Sequence, residues 1–226
     1  MSDKKHQEPV EVDVVEKARG FWEKYSRNII IASAAVILLV GGYLTYKYLV
    51  QVPNEEKARE EIYRAEENFR KDSFALALNG SGTTPGFLKV INKYSGTRTA
   101  DLANYYAGVC YLQTGDFNNA IKFLSSADVH GAKQVEAKIE GLLGDAKAEL
   151  KKNDEAIAHY KKAGTMFEQD QALSSEYLFR AGLLLEMSGK TKEAIEMYQT
   201  VKDKYPRSEK GFLVEKYLAR LGSTRS

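Results

Sequence analysis

Three patterns of hydrophobic and polar positions succeed one another along the chain. Between Val10 and Arg27 (VEVDVVEKARGFWEKYSR), Val14, Val15, Ala18, Phe21, Trp22 and Tyr25 recur near helical spacing among charged residues. This arm, residues 1–27, reads as an amphipathic helix along a membrane surface or as a solvated leader, and the pattern favours neither. From Asn28 to Tyr46 (NIIIASAAVILLVGGYLTY) nineteen residues carry no charge. From Glu55 to Leu221 the 3.6-residue period returns and predicts one helix after another.

The uncharged stretch matches the length needed to cross about 30 Å of hydrocarbon at about 1.5 Å per residue. Four Ile, three Leu and two Val lie between Ile29 and Tyr46. Together they offer roughly −4 kcal/mol for insertion, and no charge offsets them. Trp22, Tyr25, Tyr43, Tyr46 and Tyr48 flank the segment as interfacial aromatics do. A cleaved signal peptide fits poorly, because the apolar run is long and Gly41-Gly42-Tyr43 is a poor cleavage context. The segment, residues 28–50, therefore reads as an uncleaved transmembrane anchor. Ala34, Ala35, Gly41 and Gly42 would let a neighbouring membrane helix approach closely. Lys17, Arg19, Lys24 and Arg27 precede it, against Lys47, Lys57 and Arg59 after it. That balance tips the N-terminus slightly toward the cytoplasm.

The helical region repeats itself. Ala100–Ala127, Val135–Ala163 and Ser174–Pro206 align on one pattern. A small residue recurs as Gly108, Gly144 and Gly182. An alanine follows as Ala120, Ala156 and Ala194, each before an isoleucine, and four residues past it stand Leu124, Tyr160 and Tyr198. The alanines are 36 and 38 residues apart. Glycine and alanine at these positions let paired helices come close, and Gly115 and Gly189 suit the turns between them. The pattern resembles the tetratricopeptide repeat, whose helical pairs bury their faces only by stacking. The expected fold is all-α: an N-terminal span followed by a repeat solenoid. Residues 51–99 form a degenerate helical hairpin, with a long helical pattern from Glu55 to Leu78, a break near Pro53 and a loop over Asn79–Gly86. Residues 100–206 form three repeats, and 207–226 a capping helix and tail.

Composition narrows the function further. A net charge of +2 gives no footprint for nucleic acid. No phosphate loop, dinucleotide fingerprint, nucleophile elbow or CxxC motif is present. His6, His130 and His159 are scattered, which supplies no metal-ligand spacing. No catalytic residue, metal site or cofactor is expected. The single cysteine, Cys110, reads as a small buried apolar residue.

What remains is binding of protein. In such arrays the first helix of each pair lines the concave groove. The groove positions here are Tyr105, Val109 and Leu112 in the first repeat and Phe179, Leu183 and Met187 in the third. Apolar and aromatic residues there suit a hydrophobic helix or an unfolded segment, while Tyr105 and Phe179 equally fit packing between repeats. The lysine and asparagine clamp that grips acidic chain termini is missing, because Tyr105, Val109, Phe179 and Leu183 occupy its places.

The order of arm, anchor, degenerate hairpin and three repeats resembles the YfgM family of ancillary subunits of the bacterial SecYEG translocon, whose repeat class also occurs in the division coordinator CpoB. The resemblance rests on Gly108, Tyr111, Gly115, Ala120, Gly144, Ala156, Gly182, Gly189, Ala194 and Pro206 together with the architecture. It implies a bacterial inner-membrane protein with a cytoplasmic N-terminus and periplasmic repeats. The implied partners are SecYEG subunits, periplasmic chaperones or translocating chains, besides the lipid bilayer. A scaffold for another envelope assembly, in division or secretion, is the alternative.

Overall fold

The computed structural model describes residues 11–129 and 131–223, with side chains from Val14. His6, His130 and the arm before Glu11 lie outside the described residues. The chain divides into two compact units, Met1–Pro53 and Asn54–Ser226.

The first unit contains helix α1 (Glu11–Tyr46). Its apolar stretch has a mean hydropathy of 2.1 over eighteen residues, none of it buried, so this helix is long and apolar enough to cross a membrane. Ala34, Ala35, Gly41 and Gly42 are all exposed on it. In place of a break at Pro53, the chain forms a π-helical turn over Lys47–Gln51, where the Val52 amide donates to the Lys47 carbonyl. A proline cannot donate to the carbonyl four residues back and its ring crowds that carbonyl, and the wider π turn accommodates both.

In the second unit, α2 (Val52–Arg70) is followed by α3 (Phe74–Asn79), a two-stranded hairpin of β1 (Gly80–Ser81) and β2 (Thr84–Pro85), and α4 (Phe87–Lys93). The long helix expected from Glu55 to Leu78 is therefore split at Lys71–Ser73, where Asp72 takes a φ of 54°. Glycine fills the loop because Gly80, at φ +77°, packs directly on the Thr84 carbonyl and Gly86. Three helical pairs come next: α5 (Arg98–Gln113) with α6 (Phe117–Ser125), α7 (Lys133–Glu149) with α8 (Asn153–Met166), and α9 (Gln171–Met187) with α10 (Thr191–Lys204). Helix α11 (Glu209–Arg220) closes the stack against α10 and α9.

Local chemistry sets the helix ends. Thr97, Asp116, Asp170 and Ser208 each accept a hydrogen bond from the amide three residues on, capping α5, α6, α9 and α11. The turn inside each pair needs one left-handed residue. Gly115 and Gly189 supply it at φ +80° and +74°, and Lys151 does the same at 60° without glycine's freedom. Pro206 lies just past the end of α10, where it cannot continue the helix.

The packing follows the repeat register position by position. Ala120, Ala156 and Ala194 are fully buried. A β-carbon at Gly108 would stand 2.5 Å from the Leu124 Cγ, one at Gly144 2.6 Å from the Tyr160 ring, and one at Gly182 2.5 Å from the Tyr198 ring. Each first helix thus seats a large residue of its partner sixteen positions on. Neighbouring pairs are tied at nearly the repeat length: Gln134 to Asp170 at 2.7 Å, Lys190 to Asp154 at 2.6 Å and Lys204 to Glu168 at 2.8 Å. These surface bonds add little each, and the shared apolar core carries the stack.

Two acids fasten α2, one to the first repeat and one to the end of α4. Glu55 accepts from the Arg98 amide at 2.8 Å and the Thr99 hydroxyl at 2.7 Å, at the positive end of α5. Glu61 accepts from Lys93 at 2.6 Å and Tyr94 at 2.9 Å. Burial raises both carboxyl pKa values, but these hydrogen bonds outweigh it and leave both below the ordinary 4.5. A carboxylate with a lowered folded pKa stabilises fully above its unfolded pKa and loses that contribution as pH falls through the folded value. The melting temperature is therefore expected to hold steady above about pH 5 and to fall below about pH 4.5. Glu55→Ala is expected to cost about 1.5–3 kcal/mol at neutral pH and to shrink the acid-dependent part. Equal acid sensitivity in the variant and the parent protein, followed by circular dichroism, would count against this role.

Candidate ligand groove

The first helices of the pairs and α11 line a groove of about 480 Å³ in the second unit. Its apolar lining is Tyr105 from α5, Leu142 from α7, and Leu173 and Tyr177 from α9. Lys138, Asp170, Glu176, Glu209 and Lys210 supply charge along it. Tyr177 reaches its position because Gly141 has no side chain; a β-carbon there would overlap the tyrosine ring. Behind it, Tyr177 stacks on Tyr160 with centroids 6.3 Å apart. Burial pushes the Tyr177 hydroxyl up to about 12, so it stays a neutral donor at physiological pH.

A charged ladder stiffens the same face. Arg180 donates to Asp145 on α7 at 2.6 Å and to Glu176 one turn back at 2.7 Å. Tyr160 donates to the same Asp145 oxygen at 2.7 Å. Lys210 reaches Glu176 at 3.2 Å and sits 5.5 Å from the centre of the Phe179 ring. Burial raises the Glu176 carboxyl pKa, but Arg180 and Lys210 together carry it below the ordinary carboxylate value. Glu176 is thus satisfied from within the protein, and the apolar floor lies beside it, open to a ligand.

The positions expected from sequence fall in different places. Tyr105 lines the groove. Leu183 and Met187 line a separate depression of about 330 Å³ between α7 and α9. Met187 is 81% exposed. Val109 and Leu112 are partly buried on α5. Phe179 is only 5% exposed and packs on Tyr198 and Tyr217, with centroids 5.7 and 5.0 Å away. It belongs to the core that α9 shares with α10 and α11. The reason is the position of α9: α8, α10 and α11 pack against it, so most of its circumference is buried. Tyr177 and Leu142 escaped the sequence reading. The usable signal was Gly141, which stands where Tyr105 and Phe179 stand in the other repeats and opens a slot for a neighbour's ring.

Other chemistry is accounted for structurally. Cys110 is fully buried, and burial pushes its thiol pKa up to about 12, so it is not a thiolate at neutral pH. The His159 Nδ1 pairs with Glu140 at 2.8 Å, and Lys162 holds the other Glu140 oxygen at 2.7 Å. Among the described residues no three His, Cys, Asp or Glu side chains converge as metal ligands.

The stacked pairs, the buried glycine contacts and the groove on the first helices agree with one more observation. The family model described as a tetratricopeptide repeat-like domain matches residues 19–223. The chain belongs to that family. The match begins ahead of the apolar span and runs through α11, so anchor-like helix and repeats form one matched region. No curated protein matches the chain at a significant level. Tetratricopeptide repeat-like domains act as adaptors between proteins, and an all-helical repeat of this kind is typically non-catalytic.

Proposed function

We propose that this protein is a membrane-anchored adaptor that serves as an accessory subunit of the Sec translocon. In this reading α1 spans the bacterial inner membrane with the N-terminus in the cytoplasm, and the repeats stand in the periplasm. The groove receives translocating chains or periplasmic chaperones. The observation that carries the reading is the apolar floor of Tyr105, Leu142 and Tyr177 in a family domain whose match includes an apolar span. An unfolded segment offers aliphatic and aromatic side chains with no fixed sequence, and an apolar floor whose neighbouring acid Glu176 is already paired accepts them without demanding a counter-charge to it. The mechanism is tethering: fixing the groove beside the channel raises its effective concentration for emerging chains to about millimolar without chemistry.

Photo-crosslinkers at Tyr43 and Tyr177 test both halves. The first is expected to capture a helix of the channel, and the second a translocating chain or a chaperone. Recovery of lipid or self-adducts alone from Tyr43 would remove the translocon from the account. Co-purification of division or secretion components in place of channel subunits would favour the scaffold reading. Leu142→Glu, at a partly exposed position, is expected to weaken capture at Tyr177 about tenfold or more, equivalent to about 1.4 kcal/mol, with the helical signal unchanged.

A further inference from the structure

The first half of α1 carries an organised exposed face. Val14, Val15, Phe21, Trp22 and Tyr25 are between 39% and 66% exposed. At about 100° per residue they and Ala18 fall within an arc of about 120° on one side of the helix. Lys17 and Lys24 lie beside one edge of that arc and Arg19 beside the other, while Glu16 and Glu23 lie opposite. Phe21 and Tyr25 touch along the arc, with centroids 5.0 Å apart, and the Lys24 ammonium stands 5.3 Å from the Tyr25 ring.

The geometry points to residues Val14–Tyr25 as a binding site for the headgroup layer of an anionic membrane, in which this half of α1 lies along the bilayer surface. Three observations select lipid over another helix. The apolar arc is broader than the narrow seam that a two-stranded coiled coil buries. Its large residues are a tryptophan, a phenylalanine and a tyrosine, which suit the boundary between headgroups and chains, and its edges are basic while the acids face away. The span begins a few residues later on the same helix, so the bilayer surface is always within reach. A straight α1 would instead hold Val14 roughly 20 Å beyond the hydrocarbon boundary. Lying flat therefore requires a turn at the polar stretch Ser26–Asn28, between the aromatic face and the first isoleucine of the span.

Trp22 is the chain's one tryptophan and reports on this directly. The full chain would be reconstituted into liposomes of phosphatidylcholine with and without phosphatidylglycerol. With the anionic lipid, Trp22 emission is expected to shift to the blue. It should be quenched more by lipids brominated near the headgroup than by lipids brominated near the chain ends. K17E/K24E is expected to lose most of that quenching, and raising the salt should reduce it in the parent protein. All these proteins keep the span and stay in the vesicle, so the readout isolates the arm. Emission as in water, quenched by acrylamide, would overturn the proposal in favour of a solvated arm. Blue emission untouched by brominated lipid would overturn it in favour of a protein cover, such as a second copy of the chain.

Discussion

Tyr198→Ala is expected to remove about 3–5 kcal/mol of stability, the cost of deleting a large buried ring, and to loosen the C-terminal repeats first. Tyr198 is fully buried, fills the space that Gly182 leaves open, and contacts Phe179 and Tyr217. Its hydroxyl donates to Glu186 at 3.0 Å, and Arg220 holds the same carboxylate at 2.8 Å. The ring therefore joins α9, α10 and α11 at one point. Removing it leaves a cavity that three helices cannot close together. Tyr198→Phe keeps the ring and leaves Glu186 paired with Arg220, so its cost should be only about 1 kcal/mol. In a repeat stack each pair depends on its neighbours, so the damage should be graded along the chain. Amide exchange should accelerate most in α9–α11 and least in α5 and α6. A uniform acceleration, or a loss no larger in the alanine variant than in the phenylalanine variant, would show that Tyr198 is not this joint.

The same residues explain how far the sequence could be read. Gly182 and Tyr198 were legible as repeat positions because a helix crossing tolerates only a small residue on one side. That requirement recurs with the repeat and leaves a periodic mark. Gly108 with Leu124 and Gly144 with Tyr160 carry the same mark. The region before Arg98 carries none. There the helix boundary at Asp72 depends on a left-handed residue that is not glycine, and Glu55 meets Arg98 and Thr99 more than forty positions away. Such contacts have no period to betray them. The groove was legible only in part, for a related reason. Repeat position says which helix lines the groove, but the burial of Phe179 and the exposure of Met187 depend on what packs around α9. Tyr177 lies in the groove because its neighbour Gly141 lacks a side chain, and that is a property of two repeats together.

The second large effect concerns α1. Leu38→Arg combined with Leu39→Arg is expected to abolish membrane integration, moving the protein into the alkali-extractable fraction. Both leucines are about three-quarters exposed, at 75% and 74%, so replacing them disturbs no internal packing. Two arginines near the centre of the span add about 5–7 kcal/mol, against the roughly −4 kcal/mol that the apolar residues provide. One arginine alone brings the balance close to zero and should divide the protein between both fractions. Arginine at Tyr46 lies at the end of α1, where a long side chain can reach the headgroups, and should leave integration intact. If the double variant still resists alkaline extraction, the apolar segment is not what holds the protein in the membrane. The double variant also separates two attachments that coincide in the parent protein. With the span disabled, the aromatic face from Val14 to Tyr25 would be the remaining membrane contact. The variant should then bind vesicles containing phosphatidylglycerol at low salt and leave them at high salt, because contacts of that kind draw on basic residues that salt screens and the span does not.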